Sequence, residues 1–185
     1  MRTDIPEKLL RIASDIENKG PQELTRLTIL KRWFKDPLQL SSFAIFIAKR
    51  ACSRKGKAKS EEATFFKKTS ELLKNAPVCD PHISVNEAKS LFNGLSSYQS
   101  ECQNHGWNTI RILKNHNLYL IEEGLRIYLW NDTDPSAGYR LAVNYCEHYA
   151  PLYGTKLDDK SLFKINEIVR FIFTYEGLSE FEQRD

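Results

Sequence analysis

Residues 37–48 form the longest stretch of the chain without a charged side chain. As a helix, twelve residues cover about 18 Å, well short of the roughly 30 Å needed to cross a bilayer. From Phe43 to Ala48 the segment is apolar on nearly every face. Such a helix is stable in water only when other elements surround it. Asp36 before Pro37 supplies an N-cap followed by a first-turn proline, and Lys49-Arg50 closes the other end. The chain is therefore expected to build around one central helix.

Other segments carry helical signals that could supply the surrounding layers. Leu9, Ile12, Ala13 and Ile16 recur at helical spacing before Gly20-Pro21. Leu24, Leu27, Leu30 and Phe34 form a second stripe, with Trp33 beside it. A further helix starts near Ser60, carries Glu61 and Glu62 in its first turn, and offers Phe65, Phe66, Leu72 and Leu73 for burial. Ser84-Val85-Asn86-Glu87 reads as a capping box opening a helix through Leu91, Phe92, Leu95 and Tyr98. Asp134-Pro135 repeats the cap-then-proline signal ahead of a helix that stops before Pro151. The last helix, roughly 159–176, carries Leu162, Ile165, Ile168, Val169 and Ile172, with Phe163, Phe171 and Phe173 widening the arc. An arc that wide calls for burial in the core or against a second copy, so a homodimer through the C-terminal helix is compatible with it.

Residues 108–130 admit two readings. Ile110/Ile112, Leu118/Leu120 and Leu125/Ile127/Leu129 alternate as half-buried strands do, and Lys114–Asn117 and Glu122-Glu123-Gly124 resemble hairpin turns. Ile110, Leu113, Leu118, Ile121, Leu125 and Tyr128 also fit a helical face. The expected fold class is mostly α, a compact multi-helix protein with a small antiparallel meander at about 108–130.

Charge divides the chain. Residues 1–75 hold seventeen Lys and Arg against nine Asp and Glu, whereas residues 76–185 hold ten against fifteen. The break falls at Asn75–Pro81, which marks a boundary between a basic helical subdomain, 1–75, and an acidic one, 76–185, sharing one core. Hydrophobic residues make up 41% of the chain, with ten Phe and eight Tyr among them, which excludes a disordered polyelectrolyte. The charged first fifteen residues lack the apolar core of a signal peptide, and four cysteines without paired spacing fit a reducing compartment; the expected location is cytoplasmic, with no membrane partner.

The clearest functional signal is 49–59, where six of eleven residues are cationic and none is acidic. Lys49, Arg50, Arg54, Lys55, Lys57 and Lys59, with Trp33 on the preceding helix, would form a surface for an acidic protein partner. The same cations could instead contact nucleic-acid phosphates, or simply cap a helix dipole and solubilise a loop. Ala51–Ala58 imitates a phosphate-binding loop, but a helix precedes it and Ala58 replaces the metal-binding hydroxyl, so that reading fails. No zinc-finger spacing is present.

Cys79 and His82, Cys102 and His105, and Cys146 and His148 are neighbouring thiol–imidazole pairs. Zinc prefers such ligands and a thiol nucleophile needs such a base, which makes a metal or thiol enzyme around Cys102 and His105 the third reading. Without Cys-x-x-Cys, Gly-x-Ser-x-Gly or His-Glu-x-x-His, the sequence favours a non-enzymatic interaction or regulatory protein that uses no cofactor. Tyr139, Tyr145, Tyr149 and Tyr153 form an aromatic cluster suited to packing.

Overall fold

The computed structural model describes residues 34, 36–54, 60–104, 116–130, 135–146 and 159–175. Among these described residues six helices run in the order α1 (Pro37–Ser53), α2 (Ser60–Leu73), α3 (Val85–Asn104), α4 (His116–Trp130), α5 (Pro135–Cys146) and α6 (Asp159–Tyr175). The mostly helical class is as expected. No strand occurs among the described residues. These residues fall into two compact units, divided between Leu141 and Ala142.

In the first unit, 34–141, α1 takes the central place its composition demands. The Leu38 N–H donates to Asp36 Oδ1 at 2.9 Å, and the Asp36 N–H donates to Gln39 Oε1 at 3.2 Å, completing a capping box ahead of the proline turn. Leu40 to Ile45, Ile47, Ala48 and Ala51 are all buried. Its most extensive partner is α4, which also packs on α3 and on α2.

Residues 116–130 are one continuous helix and not the later strands of a meander; residues 108–115 lie outside the described part. The alternation of apolar residues has a tertiary cause. A helix packed on several sides needs Leu118, Leu120, Ile121, Leu125 and Ile127 buried together, and that density of apolar positions imitates a two-residue period. Gly124 is no hairpin turn either. It lies where α4 crosses α1, and a Cβ there would stand 2.7 Å from the Ala44 carbonyl oxygen and 3.2 Å from Ala48 Cβ.

The connection from α2 to α3 is pinned from both neighbouring helices. The Lys49 ammonium donates to the Ala76 carbonyl at 2.5 Å, the Asp80 N–H to the buried Ser42 hydroxyl at 3.2 Å, and the Ile83 N–H to the Tyr128 hydroxyl at 3.2 Å. Asp80 itself has φ 53°, a left-handed conformation that aspartate tolerates better than most residues. The Glu87 N–H then donates to Ser84 Oγ at 3.4 Å, so Ser84 caps α3 as its position implied.

Glu122 faces α3 from α4. Burial pushes its carboxyl above the ordinary value of 4.5, hydrogen bonds from Ser96 and Gln99 pull it back, and the neighbouring Glu123 pushes it up again. Between the ordinary and the raised value the native chain holds a proton that the unfolded chain has lost. Stability therefore falls as pH rises through that window. Glu122→Gln is expected to flatten this fall and to raise the melting temperature at pH 7. Melting curves between pH 4 and 8 would test it, and a variant with the wild-type slope would show that Glu122 is not the source.

In the second unit, α6 buries Ile165, Ile168, Phe171 and Ile172 within the chain, while Phe163 stays exposed. Tyr145 is buried and donates its hydroxyl to Glu167 Oε2, and the buried Lys164 ammonium lies 5.3 Å from the Tyr145 ring centroid. Tyr145 thus serves packing, as the tyrosine cluster suggested; Tyr149 and Tyr153 lie outside the described residues. No helix among the described residues is long and apolar enough to cross a membrane.

Candidate functional site

The C-terminal half of α1 and the length of α2 enclose an open groove of about 1010 Å³. From α1 it is lined by Lys49, Cys52 and Ser53, from α2 by Lys67, Ser70 and Glu71, and from the turn just past α2 by Lys74. Ala63, Phe66 and Leu73 add its apolar surface. Helical geometry explains the second wall. Lys67, Ser70 and Glu71 lie three and four residues apart and so share one stripe of α2, and Lys74 follows in the turn that ends it.

Each wall is fixed by local chemistry. Lys49 reaches the Ala76 carbonyl with one ammonium hydrogen, which ties the groove to the α2–α3 turn. Burial pushes that ammonium below the ordinary lysine value of 10.5. The Cys52 thiol donates to the Phe66 carbonyl at 3.1 Å, joining the two walls. Ser53 Oγ donates to the Arg50 carbonyl at 2.8 Å in the last turn of α1. Lys67 and Glu71 stand 4.0 Å apart on an exposed surface, a pairing that constrains neither side chain strongly.

The other expected cations are placed as follows. Arg50 is exposed, with its guanidinium 5.6 Å from the Phe46 ring centroid. Arg54 forms the C-cap of α1: its N–H donates to the Ala51 carbonyl at 3.2 Å, and its own carbonyl accepts from Asn117 Nδ2 at 2.9 Å. Lys55, Lys57, Lys59 and Trp33 lie outside the described residues. Of the basic segment, then, Lys49 lines the groove, and Arg50 and Arg54 share the helix end beside it. Lys67, Ser70 and Lys74 were not among the expected site residues, although their three- and four-residue spacing is plain in the sequence.

Cys102 is half-buried on α3, beside the Tyr98 hydroxyl. Its expected partner His105 lies outside the described residues, as does His148. His82 Nε2 stands 3.3 Å from Asp80 Oδ2 on the exposed turn. Among the described residues no group of three or more His, Cys, Asp or Glu is placed to hold a metal ion, and none of the four cysteines is in a disulfide.

A second groove, about 470 Å³, runs between α2 and α3 and is lined by Phe65, Leu72, Leu91, Lys68 and Glu87 among others. Its charges are mixed, and nothing in it selects a ligand. The chain matches no protein-family model, and no curated protein and no solved structure is significantly similar to it.

Proposed function

We propose that this protein is a non-enzymatic interaction or regulatory protein that holds an acidic protein partner through the cationic face of α1 and α2. The α1–α2 groove carries this reading: three lysines and two serines line one concavity, with exposed Ala63 on its wall and the buried Phe66 and Leu73 beneath it. Arg50 and Arg54 extend the positive charge beyond the groove. Opposed charge steers such a partner and sets its register, while apolar contact holds it.

Nucleic acid suits the same cations less well. A phosphate backbone is held by cations on a surface that tracks the strand. Here the cations line a concavity that also admits the Glu71 carboxylate. A polypeptide with alternating acidic and apolar side chains matches both features.

The test is affinity capture from a nuclease-treated extract on the full chain and on a Lys67→Glu/Lys74→Glu variant. An acidic protein identified by mass spectrometry should be retained by the wild type, with affinity about tenfold weaker for the variant and falling with salt. Fluorescence anisotropy with mixed-sequence DNA and RNA forms the second arm. Salt-sensitive nucleic-acid binding that the same variant abolishes would replace the protein-partner reading.

A further inference from the structure

Resting on that reading, we infer that the group anchored in the α1–α2 groove is a phosphorylated side chain on an extended segment of the partner. Three features of the groove select phosphate over carboxylate. First, its donors outnumber what a carboxylate can use. Lys49, Lys67 and Lys74 bring ammonium groups and Ser70 brings a hydroxyl, while the Ser53 hydrogen is already given to the Arg50 carbonyl. A phosphate monoester carries three terminal oxygens and up to two negative charges, which suits such a set.

Second, the donors are lysines and a hydroxyl, with no arginine in the lining. Lysine acts as a point charge that an anion can meet from any direction, and a dianionic phosphate gains more from three such charges than a singly charged carboxylate does. Third, Lys49 keeps two ammonium hydrogens beyond the one given to Ala76. Its partial burial disfavours the bare cation, and an arriving dianion would offset that cost.

The volume, about 1010 Å³, exceeds what one phosphate fills. The remainder is bordered by the exposed Ala63 above the buried Phe66 and Leu73, so small apolar residues should flank the phosphate. Glu71, beside Lys67, disfavours a second negative charge next to the first. A single phosphoserine or phosphothreonine between apolar neighbours meets these demands better than a continuous acidic run.

The experiment is an NMR titration of the full-length ¹⁵N-labelled chain with four probes. They are a short apolar peptide bearing one phosphoserine, the same peptide with serine, the same with glutamate, and inorganic phosphate. The phosphopeptide should shift the amides of 49–53 and 63–74, bind about tenfold tighter than the glutamate peptide, and lose that advantage in Lys67→Gln/Lys74→Gln. Both positions are exposed, and circular dichroism would confirm that the variant keeps its helices.

Equal affinity for the phosphoserine and glutamate peptides at these amides would overturn this inference and leave the acidic-partner reading intact. Shifts confined to other helices would overturn it too. Inorganic phosphate matching the phosphopeptide in affinity would remove the flanking segment from the account, and with it the inference. Should no anionic probe reach the groove, and should Lys67→Glu/Lys74→Glu also leave partner capture unchanged, the acidic-partner reading falls as well.

Discussion

Gly124→Ala should lower the stability of the protein by about 1–3 kcal/mol, the usual cost of overfilling a packed interface. In an exposed helix the same change would gain up to about 1 kcal/mol, because alanine is the better helix former. The sign reverses here because of what the new methyl meets. It would stand 2.7 Å from a backbone carbonyl, that of Ala44, which belongs to a helix and cannot swing aside. Relief requires α1 and α4, the most extensively packed pair, to move apart. Gly94→Ala is the internal control, since its added methyl would lie 3.2 Å from the edge of the Phe65 ring, a half-buried side chain able to turn. Urea unfolding should show a lower midpoint for Gly124→Ala than for Gly94→Ala. A Gly124→Ala midpoint at or above that of the wild type would mean the two helices separate without cost, and the close crossing would lose its structural role.

The second large effect is expected at Tyr98. Its hydroxyl donates to Glu62 Oε1 at 2.7 Å, and both side chains are buried, Glu62 at 2% exposure. Tyr98→Phe removes a donor from a buried carboxyl group while leaving the packing of the ring, including its contact with Phe65, in place. A cost of about 2–3 kcal/mol follows from losing a hydrogen bond to such a group. Tyr98→Phe combined with Glu62→Met should recover much of it, because a buried polar pair replaced on both sides by apolar groups is often near neutral. Recovery would show that Glu62 is the source of the cost. A double variant as unstable as the sum of the singles would place the cost elsewhere.

The same pair shapes the alkaline limb of the stability curve. Burial, then the hydrogen bond to Glu62 and its charge, hold the Tyr98 hydroxyl protonated well above the ordinary phenol value of 10.0, with a smaller push from Cys102. Above that value the unfolded chain releases a proton that the native chain keeps. Stability is therefore expected to fall as pH rises beyond 10, and to fall less steeply in Tyr98→Phe.

These sites show where the sequence was informative. Asp36-Pro37 and the apolar run after it announced the central helix, because a cap and a proline act through their immediate neighbours. Ser84 and Asp134-Pro135 marked helix starts for the same local reason. Glu62 was different: as a first-turn acidic residue it read as a partner for the helix dipole. Its hydrogen-bond partner lies 36 residues away on α3 and could be found only by folding the chain. The meander failed because a helix buried on several sides carries apolar residues at both two- and four-residue intervals, so Leu118/Leu120 and Leu118/Ile121/Leu125 were equally good signals. Gly124 looked like a turn because glycine marks both turns and close helix crossings, and the chain alone does not show which neighbour approaches.

The groove was half legible. Lys49 stood out within a conspicuous basic run, but its ammonium also holds the α2–α3 turn, so it joins architecture to the proposed site. Lys67, Ser70 and Lys74 were readable from helical spacing alone. What assembles them with Lys49 and Ser53 is the packing of α2 on α1, including the Cys52 thiol on the Phe66 carbonyl.

Hydrogen–deuterium exchange on the full chain with its captured partner tests the central claim most directly. The account predicts added protection in 49–54 and 63–74, with both changes lost in Lys67→Glu/Lys74→Glu. Protection confined to α5 and α6, or unaffected by that charge reversal, would contradict it.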